Sequence, residues 1–107
     1  VNVSRVETQH ATIEVISWVT SFVGGDGSGS REYEEAFALG ETIGELLKRF
    51  SARHPELDAA LWDASKKELG EHIEVLVNDA VLGIAHTLDS ELQPGDRITL
   101  VGQYMGG

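Results

Sequence analysis

The sequence predicts an α+β domain in which one main helix packs across a mixed sheet. Three observations support this fold class. Short runs rich in β-branched residues, separated by turn residues, predict strands. One segment in the middle of the chain has helical spacing and a helix-capping pattern. The helix divides the strands unevenly, with two before it and three after it. With 107 residues, the chain has the size of one domain, which we assign to residues 1–107.

The first two strands are predicted around a glycine-rich connection. The run ATIEVISWVTSFV, residues 11–23, is dense in β-branched and aromatic residues and predicts a long central strand. Residues 1–10 are mixed and polar, and we expect a flexible N-terminal extension there. In GGDGSGS, residues 24–30, four of seven residues are glycine, so a flexible loop is expected. Residues 31–39 favour a half-exposed edge strand, with a helix as the alternative.

The main helix is predicted to begin at Thr42. The Thr42 hydroxyl can accept from the backbone N–H of Glu45, and the Glu45 carboxylate can accept from the N–H of Thr42. Apolar residues spaced three and four apart then follow, namely Ile43, Leu46, Leu47 and Phe50. The helix should stop before Pro55, because proline disfavours helical geometry in the residue before it. Residues 55–62 predict one or two further helical turns at the edge of the core.

The last three strands are predicted from alternation and turn signals. Residues 73–77 form the first of them, and Asn78-Asp79 predicts a turn into a second apolar piece, residues 81–85. Residues 93–96, QPGD, predict a β-turn that leads into a strand over residues 97–101. The side chains assigned to the sheet and core rather than to chemistry are Ile73, Val75, Val77, Ile98 and Leu100.

The charge and composition exclude several classes of partner. The chain has 8 Lys and Arg against 18 Asp and Glu, a net charge of −10. Because it cannot build a basic surface that neutralises several phosphates, nucleic acid is not an expected partner. Acidic membrane surfaces repel such a chain, and no apolar run approaches the roughly 20 residues that span a bilayer. There is no cysteine and no signal-peptide pattern in residues 1–10, so a cytoplasmic protein is expected.

No set of catalytic or metal-binding side chains stands out in the sequence. The four histidines lack the spacing of zinc ligands; they are His10, His54, His72 and His86. The glycine-rich segment 24–30 lacks both the lysine of a phosphate-binding loop and the third glycine of a dinucleotide-binding loop. Trp18 and Trp62 are expected in the core rather than as a stacking platform. The residues alone therefore single out neither a metal site nor a set of catalytic side chains.

A glycine pair follows the last predicted strand. Gly106 and Gly107 come after a four-residue segment, residues 102–105, and we expect residues 102–107 to form a flexible tail. Without Cβ atoms, two glycines make a slim chain that can enter a narrow active-site tunnel, where the terminal carboxylate is the reactive group. Chance is the other interpretation: with about one glycine in nine residues, such a pair arises at a fixed place in about 1% of chains.

Three segments resemble the ubiquitin-like sulfur carriers, in order and in spacing. They are IEVLVND, LDSELQPGDRITL and the final Gly-Gly. The family includes the small subunit of molybdopterin synthase (MoaD type), the ubiquitin-related modifier of eukaryotes and ThiS-like proteins. The segment TIGELLKRFSARHPEL is similar to the MoaD-type helix and the residues that follow it. The resemblance covers most of residues 11–107 and implies a β-grasp fold, with five strands around one helix and the first and last strands parallel and central.

The resemblance also implies a chemistry for the tail. In that family an E1-like enzyme of the MoeB or ThiF type uses ATP to adenylate the terminal glycine, here Gly107. A sulfur donor, such as a rhodanese or a cysteine desulfurase, converts the adenylate to a thiocarboxylate. An acceptor, such as the large subunit of molybdopterin synthase, then takes the sulfur. By this resemblance Gly106 gives access to the tunnel, Met105 and Tyr104 contact the partner, and no cofactor is bound permanently.

The tail differs from the family patterns, which leaves the pathway open. It reads GQYMGG, whereas MoaD-type tails read Pro-Pro-Val-x-Gly-Gly and the modifier-type tail has Ser-Thr-Leu-His before its glycines. Molybdopterin synthesis and tRNA thiolation are both compatible with a carrier. Two alternatives are a modifier conjugated to lysines through Gly107, and a non-catalytic β-grasp interaction domain. An exposed apolar surface with acidic rims, on the sheet face opposite the helix, is expected to dock partners.

Overall fold

A computed structural model of the chain describes residues 9–65 and 68–102. In chain order, the elements are β1 (Gln9–Ile16), a 3₁₀ helix (Ser17–Val23), β2 (Ser30–Phe37), α1 (Ile43–Ser51), α2 (Pro55–Leu61), β3 (Ile73–Val77), β4 (Ala80–Val81) and β5 (Arg97–Gly102). No helix in these ranges is long and apolar enough to cross a membrane.

The strands form one mixed sheet in the order β2-β1-β5-β3-β4. The central pair, β1 and β5, is parallel, from Thr12 opposite Arg97 to Ile16 opposite Val101. The other neighbours pair antiparallel, and β2 lies at an edge. The predicted α+β class, the β-grasp arrangement and the edge strand in the second position are therefore confirmed, and the helical alternative for that strand is wrong.

The core lies between the sheet and the helices. Alternate residues along the strands face the helices, and those assigned to the core from the sequence are at most 2% exposed: Ile73, Val75, Val77, Ile98 and Leu100. The four apolar residues of α1 are at most 1% exposed: Ile43, Leu46, Leu47 and Phe50. Both predicted apolar faces are confirmed, and they bury against each other.

The helix boundaries agree with the capping and proline signals. The backbone N–H of Glu45 donates to the Thr42 hydroxyl at 3.1 Å, and the N–H of Thr42 donates to the Glu45 carboxylate at 2.9 Å. This capping box satisfies two N–H groups that a helix start otherwise leaves free. The helix ends at Ser51, and Pro55 begins the predicted second helix.

The prediction of one long strand over residues 11–23 is wrong in its second half. The strand β1 ends at Ile16, and Ser17 has a φ of +62°, a left-handed conformation that breaks the strand. The following residues form the 3₁₀ helix and bury Val19 and Val23 against the core. The apolar character of this segment thus comes from burial in a helical turn and not from sheet pairing.

The predicted hairpin through Asn78 and Asp79 is confirmed, but its second strand, predicted over residues 81–85, is shorter and starts one residue earlier. The strand β4 contains Ala80–Val81 alone. Gly83 has a φ of +106°, which turns the chain away, and Ile84 is 79% exposed. The apolar residues after Val81 therefore do not extend the sheet.

The sheet extends further than predicted at both ends of the chain. Gln9 and His10 belong to β1 and not to an N-terminal extension. Gly102 is the last residue of β5, opposite Ile73, and not the first residue of the tail. The rest of the predicted extension and tail lies outside the described residues.

Candidate functional site

The predicted site residues Tyr104, Met105, Gly106 and Gly107 lie outside the described residues. What the structure provides is the place where this segment leaves the sheet. Gly102 is the last residue of β5, which pairs with β1 on one side and β3 on the other. Since β1 and β5 are parallel, both finish at the same end of the sheet, which we call the tail end. The tail therefore starts from the centre of the sheet and not from an edge.

Trp18 covers the core-facing side of the tail end. A Cβ atom on Gly102 would overlap the Cε2, Cζ2 and Nε1 atoms of Trp18, so the indole lies directly against the Gly102 backbone. The indole also meets the Phe22 ring edge-on, with centroids 5.7 Å apart. A side chain at position 102 would therefore force the ring or the strand end to shift. A glycine inside a strand often marks such a close approach, but the sequence does not identify the approaching group.

The 3₁₀ helix that carries Trp18 is fixed by a buried threonine. Thr20 is fully buried, and its hydroxyl donates to the Ser17 carbonyl oxygen at 2.8 Å. The same hydroxyl accepts from the backbone N–H of Gly27 at 3.0 Å. The N–H of Ser17 donates to the Gly29 carbonyl oxygen at 2.7 Å. The glycine-rich segment, predicted to be a flexible loop, is thus tied by hydrogen bonds to the start of the 3₁₀ helix.

The sheet face opposite the helices, which we call the outer sheet face, carries two pairs of apolar side chains. Ile16, Leu76 and Val101 are half-buried there, and Val81 is 40% exposed. Ile16 lies opposite Val101, and Leu76 lies opposite Val81. Apolar residues are thus present on the predicted face, and the pair of Ile16 and Val101 lies beside the start of the tail. Their role in docking stays a prediction.

One side of the outer sheet face is acidic, and two of its carboxylates share one arginine. Arg97 Nη1 lies 2.9 Å from the Glu14 carboxylate and 3.1 Å from the Glu32 carboxylate. Hydrogen bonding and charge from Glu32, and then from Glu14, raise the pKa of Arg97 above its usual value. Glu34 is exposed nearby on the same strand as Glu32. With two carboxylates for one guanidinium, this rim keeps a net negative charge.

The surroundings of His54 and Trp62 are those of structural residues. In residues 9–65 and 68–102, no three of the His, Asp and Glu side chains are grouped so that they could hold a metal ion. His54 stacks near Phe50, with centroids 5.0 Å apart, and burial followed by the charge of Arg53 lowers the pKa of His54. Trp62 is 5% exposed and donates to the Ser51 hydroxyl at 3.0 Å, as expected of a core residue.

Comparison by sequence identifies one family. The model of the ThiS family matches residues 25–107, a range that includes the predicted tail and its glycine pair. No curated protein sequence is significantly similar to the chain.

Comparison by structure gives the same fold in three small proteins of different organisms. The small archaeal modifier protein 1 from Methanosarcina acetivorans superposes with a TM-score of 0.73 at 16% identity, covering 94% of this chain and 99% of that one. A chain of the Amycolatopsis orientalis BexX/CysO complex gives 0.66 at 26% identity, covering 91% and 99%. Urm1 from Trypanosoma brucei gives 0.70 at 20% identity, covering 94% and 97%.

Proposed function

Because the chain belongs to the ThiS family, we propose that it is a sulfur carrier whose Gly107 carboxyl group is adenylated and then converted to a thiocarboxylate. The observation that carries the proposal is the reach of the family match, which continues through the glycine pair to residue 107. The position of Gly102 supports it, since the tail starts from the centre of the sheet, beside an apolar surface.

The proposed chemistry needs an activated carboxyl group. A carboxylate is a poor electrophile, so ATP first converts the Gly107 carboxylate to an acyl-adenylate, with release of pyrophosphate. A sulfur nucleophile at the oxidation level of sulfide then attacks the carbonyl carbon. A carbon–sulfur bond forms, the bond to the phosphate-bearing oxygen breaks, and AMP leaves with that oxygen. The product is a thiocarboxylate, which is nucleophilic at neutral pH and can pass its sulfur on.

The carrier supplies the reacting carboxyl group, and its partners supply the catalysis. We assign adenylation to an E1-like enzyme of the MoeB or ThiF type, which binds the ATP. The sulfur comes from a donor such as a rhodanese or a cysteine desulfurase, which carries it as a persulfide, and a thiol reductant releases it at the oxidation level of sulfide. It goes to an acceptor such as a molybdopterin-synthase large subunit or a tRNA-thiolation system. A chain of similar fold occurs in the BexX/CysO complex, which supports assembly of this fold with a second protein. In this scheme the chain is a cytoplasmic protein with no cofactor of its own.

The outer sheet face is the surface proposed to dock the activating enzyme. Its apolar residue Val101 directly precedes Gly102, so an enzyme that holds Ile16 and Val101 has the start of the tail at the margin of its contact. The acidic rim around Glu14 and Glu32 favours a partner with basic residues at the matching position, which raises the association rate more than the affinity. Tyr104 and Met105 would contact the channel that receives the glycine pair.

Intact mass spectrometry tests the proposal. The chain is incubated with ATP, sulfide and the E1-like enzyme from the same source. We expect the mass to increase by the difference between one sulfur and one oxygen atom, and we expect no increase when ATP is left out. An unchanged mass with an enzyme that does adenylate another carrier contradicts the proposal. Higher-mass adducts with proteins, without a stable thiocarboxylate, support the alternative of conjugation to lysines.

A further inference from the structure

We propose that Trp18 is a positioning residue for this transfer, whose indole sets the direction in which the chain leaves the sheet after Gly102. The inference deepens the proposed function and depends on it. It concerns how the Gly107 carboxyl group reaches the activating enzyme, and not whether it reacts.

At Gly102 the indole of Trp18, which we call the aromatic wall, takes the place of a core side chain. Along β5, Ile98 and Leu100 point their side chains into the core and are fully buried. Gly102 is the next residue on this side of the strand, and the Trp18 indole occupies the space that a side chain would take. The flat ring therefore closes the core-facing side of the strand at the point where sheet pairing ends. On the side of the 3₁₀ helix, the path beyond Gly102 is thus blocked by the indole, and we take the outer sheet face as the side toward which the tail is guided.

The wall is held by contacts that do not involve the tail. Phe22 meets the indole edge-on. Val19 and Val23, on the same 3₁₀ helix, are buried in the core. The Thr20 hydroxyl donates within this helix to the Ser17 carbonyl oxygen at 2.8 Å, and it ties the helix to the glycine-rich segment by accepting from the Gly27 N–H at 3.0 Å. An element fixed independently of the tail can restrict the starting direction of the tail, which reduces the ordering needed when the enzyme takes it up.

The inference gives a kinetic signature. A misplaced tail leaves docking on the outer sheet face intact but moves the reacting carboxyl group, and a displacement of about 1 Å can lower a rate about 100-fold. Adding a Cβ in Gly102→Ala forces either the indole or the strand end to shift. We expect this variant to lower kcat for thiocarboxylate formation 10-fold to 100-fold, with KM for the carrier within about twofold of the wild-type value. A purely structural contact would lower only the folded fraction.

A double-mutant cycle isolates the contact between the two residues. Trp18→Ala removes the wall, so we expect a smaller, several-fold decrease in kcat. In the double variant Trp18→Ala/Gly102→Ala the added methyl group meets empty space, and kcat should equal that of Trp18→Ala. Trp62→Ala is the matched control, because it removes a tryptophan that is buried elsewhere, against Ser51. Its kcat should stay at the wild-type value once the folded fraction is accounted for.

The outcomes separate this inference from the proposed function. If the wild-type chain forms no thiocarboxylate, the proposed function fails first. If the wild-type chain reacts and folded Gly102→Ala keeps its kcat, or if the two substitutions act additively, the positioning role of Trp18 is wrong and the carrier function stands. If Gly102→Ala does not fold, the comparison of Trp18→Ala with Trp62→Ala decides. Equal kcat values in those two variants contradict the inference, and a selective decrease in Trp18→Ala supports it.

Discussion

At the end of the sheet opposite the tail, which we call the turn end, backbone groups are held by short polar side chains, whereas at the tail end an aromatic ring covers a glycine. The Asn78 amide group donates to the Asp96 carboxylate at 3.0 Å, and its oxygen accepts from the Arg97 N–H at 2.9 Å. Asp96 also accepts from the Gln93 N–H at 2.8 Å and is 6% exposed. At the tail end, by contrast, the indole of Trp18 lies against the backbone of Gly102.

The difference separates a structural end from a functional one. Polar side chains that satisfy backbone groups fix the chain on both sides of a turn, which suits an end with a structural role. A ring packed against a glycine restricts the direction of the strand end, which suits an end where, in the proposed function, a partner takes up the chain that follows. Substitutions at the turn end should therefore change the free energy of unfolding, and those at the tail end should change the reaction.

The largest effect is expected at the glycine pair. Adding one residue after Gly107 moves the carboxyl group away from the position that is adenylated. We expect no thiocarboxylate by intact mass and an unchanged melting temperature, because residue 107 lies beyond the last strand. A lengthened chain that still gains sulfur at the wild-type rate contradicts this role.

The next largest effect is expected on KM for the activating enzyme, from substitutions on the docking surface beside the tail end. Ile16 and Thr12 are both half-buried on the outer side of β1, beside Val101 and Arg97 respectively. Ile16→Glu should raise KM for the activating enzyme about thirtyfold, since it places a carboxylate in an apolar contact. Thr12→Glu adds the same charge nearer to the turn end and should stay within about threefold. Equal KM values for the two variants would show that docking does not depend on the tail end.

At the turn end, Asn78→Ala should lower the free energy of unfolding by about 2 kcal/mol, because it loses two side-chain hydrogen bonds and strains a residue with a φ of +52°. Chemical denaturation measures the loss. Asp79→Gly is the control at the neighbouring position, where φ is +72°, and should stay within about 1 kcal/mol of the wild-type value. The kcat of folded Asn78→Ala should not change. A decrease in kcat there would give the turn end a part in the reaction.

A smaller decrease in stability is expected from the start of α1. Thr42→Ala removes the hydroxyl that accepts from Glu45 and should lower the free energy of unfolding by about 1 kcal/mol. Thr42→Ser keeps the hydroxyl and serves as the control. Equal stability of the two variants would mean that the capping box adds nothing here.

The smallest effect is a pH dependence at His54. Burial and Arg53 lower the pKa of folded His54 below the unfolded value of 6.5, so the unfolded chain binds the proton more readily. The stabilising contribution is present above about pH 6.5 and decreases as the pH falls toward the pKa of the folded state. His54→Gln should show a flatter profile in this window by thermal melting. An identical slope in both proteins would contradict the shift.

The sequence predicts the turn end well because its signals are local. Asn78 and Asp79 take the positive φ values that asparagine and aspartate tolerate, and Gly95, with a φ of +85°, follows the proline of its turn. The capping box between Thr42 and Glu45 spans only three residues. Each of these features is specified by residues adjacent or nearly adjacent in the chain.

The tail end is harder to predict because its contact is distant in sequence. Trp18 lies in a run whose β-branched residues are typical of a strand. The strand ends at the left-handed conformation of Ser17, and a serine does not predict such a conformation as a glycine would. Gly102 is unusual inside a strand, but nothing near it identifies Trp18 as its partner. The glycine pair could be predicted from the sequence. The apolar residues beside the start of the tail could not, because identifying them requires the pairing of β1 with β5.

The most direct test of the account is to locate the sulfur atom after the reaction. The chain treated with ATP, sulfide and the activating enzyme is cleaved, and its C-terminal peptide is sequenced by tandem mass spectrometry. If the chain is a sulfur carrier, we expect the sulfur on Gly107 itself, with Tyr104 and Met105 unmodified in the same peptide. A sulfur-free Gly107 in a chain that has gained mass elsewhere, or has joined to lysines through Gly107, would contradict the carrier function.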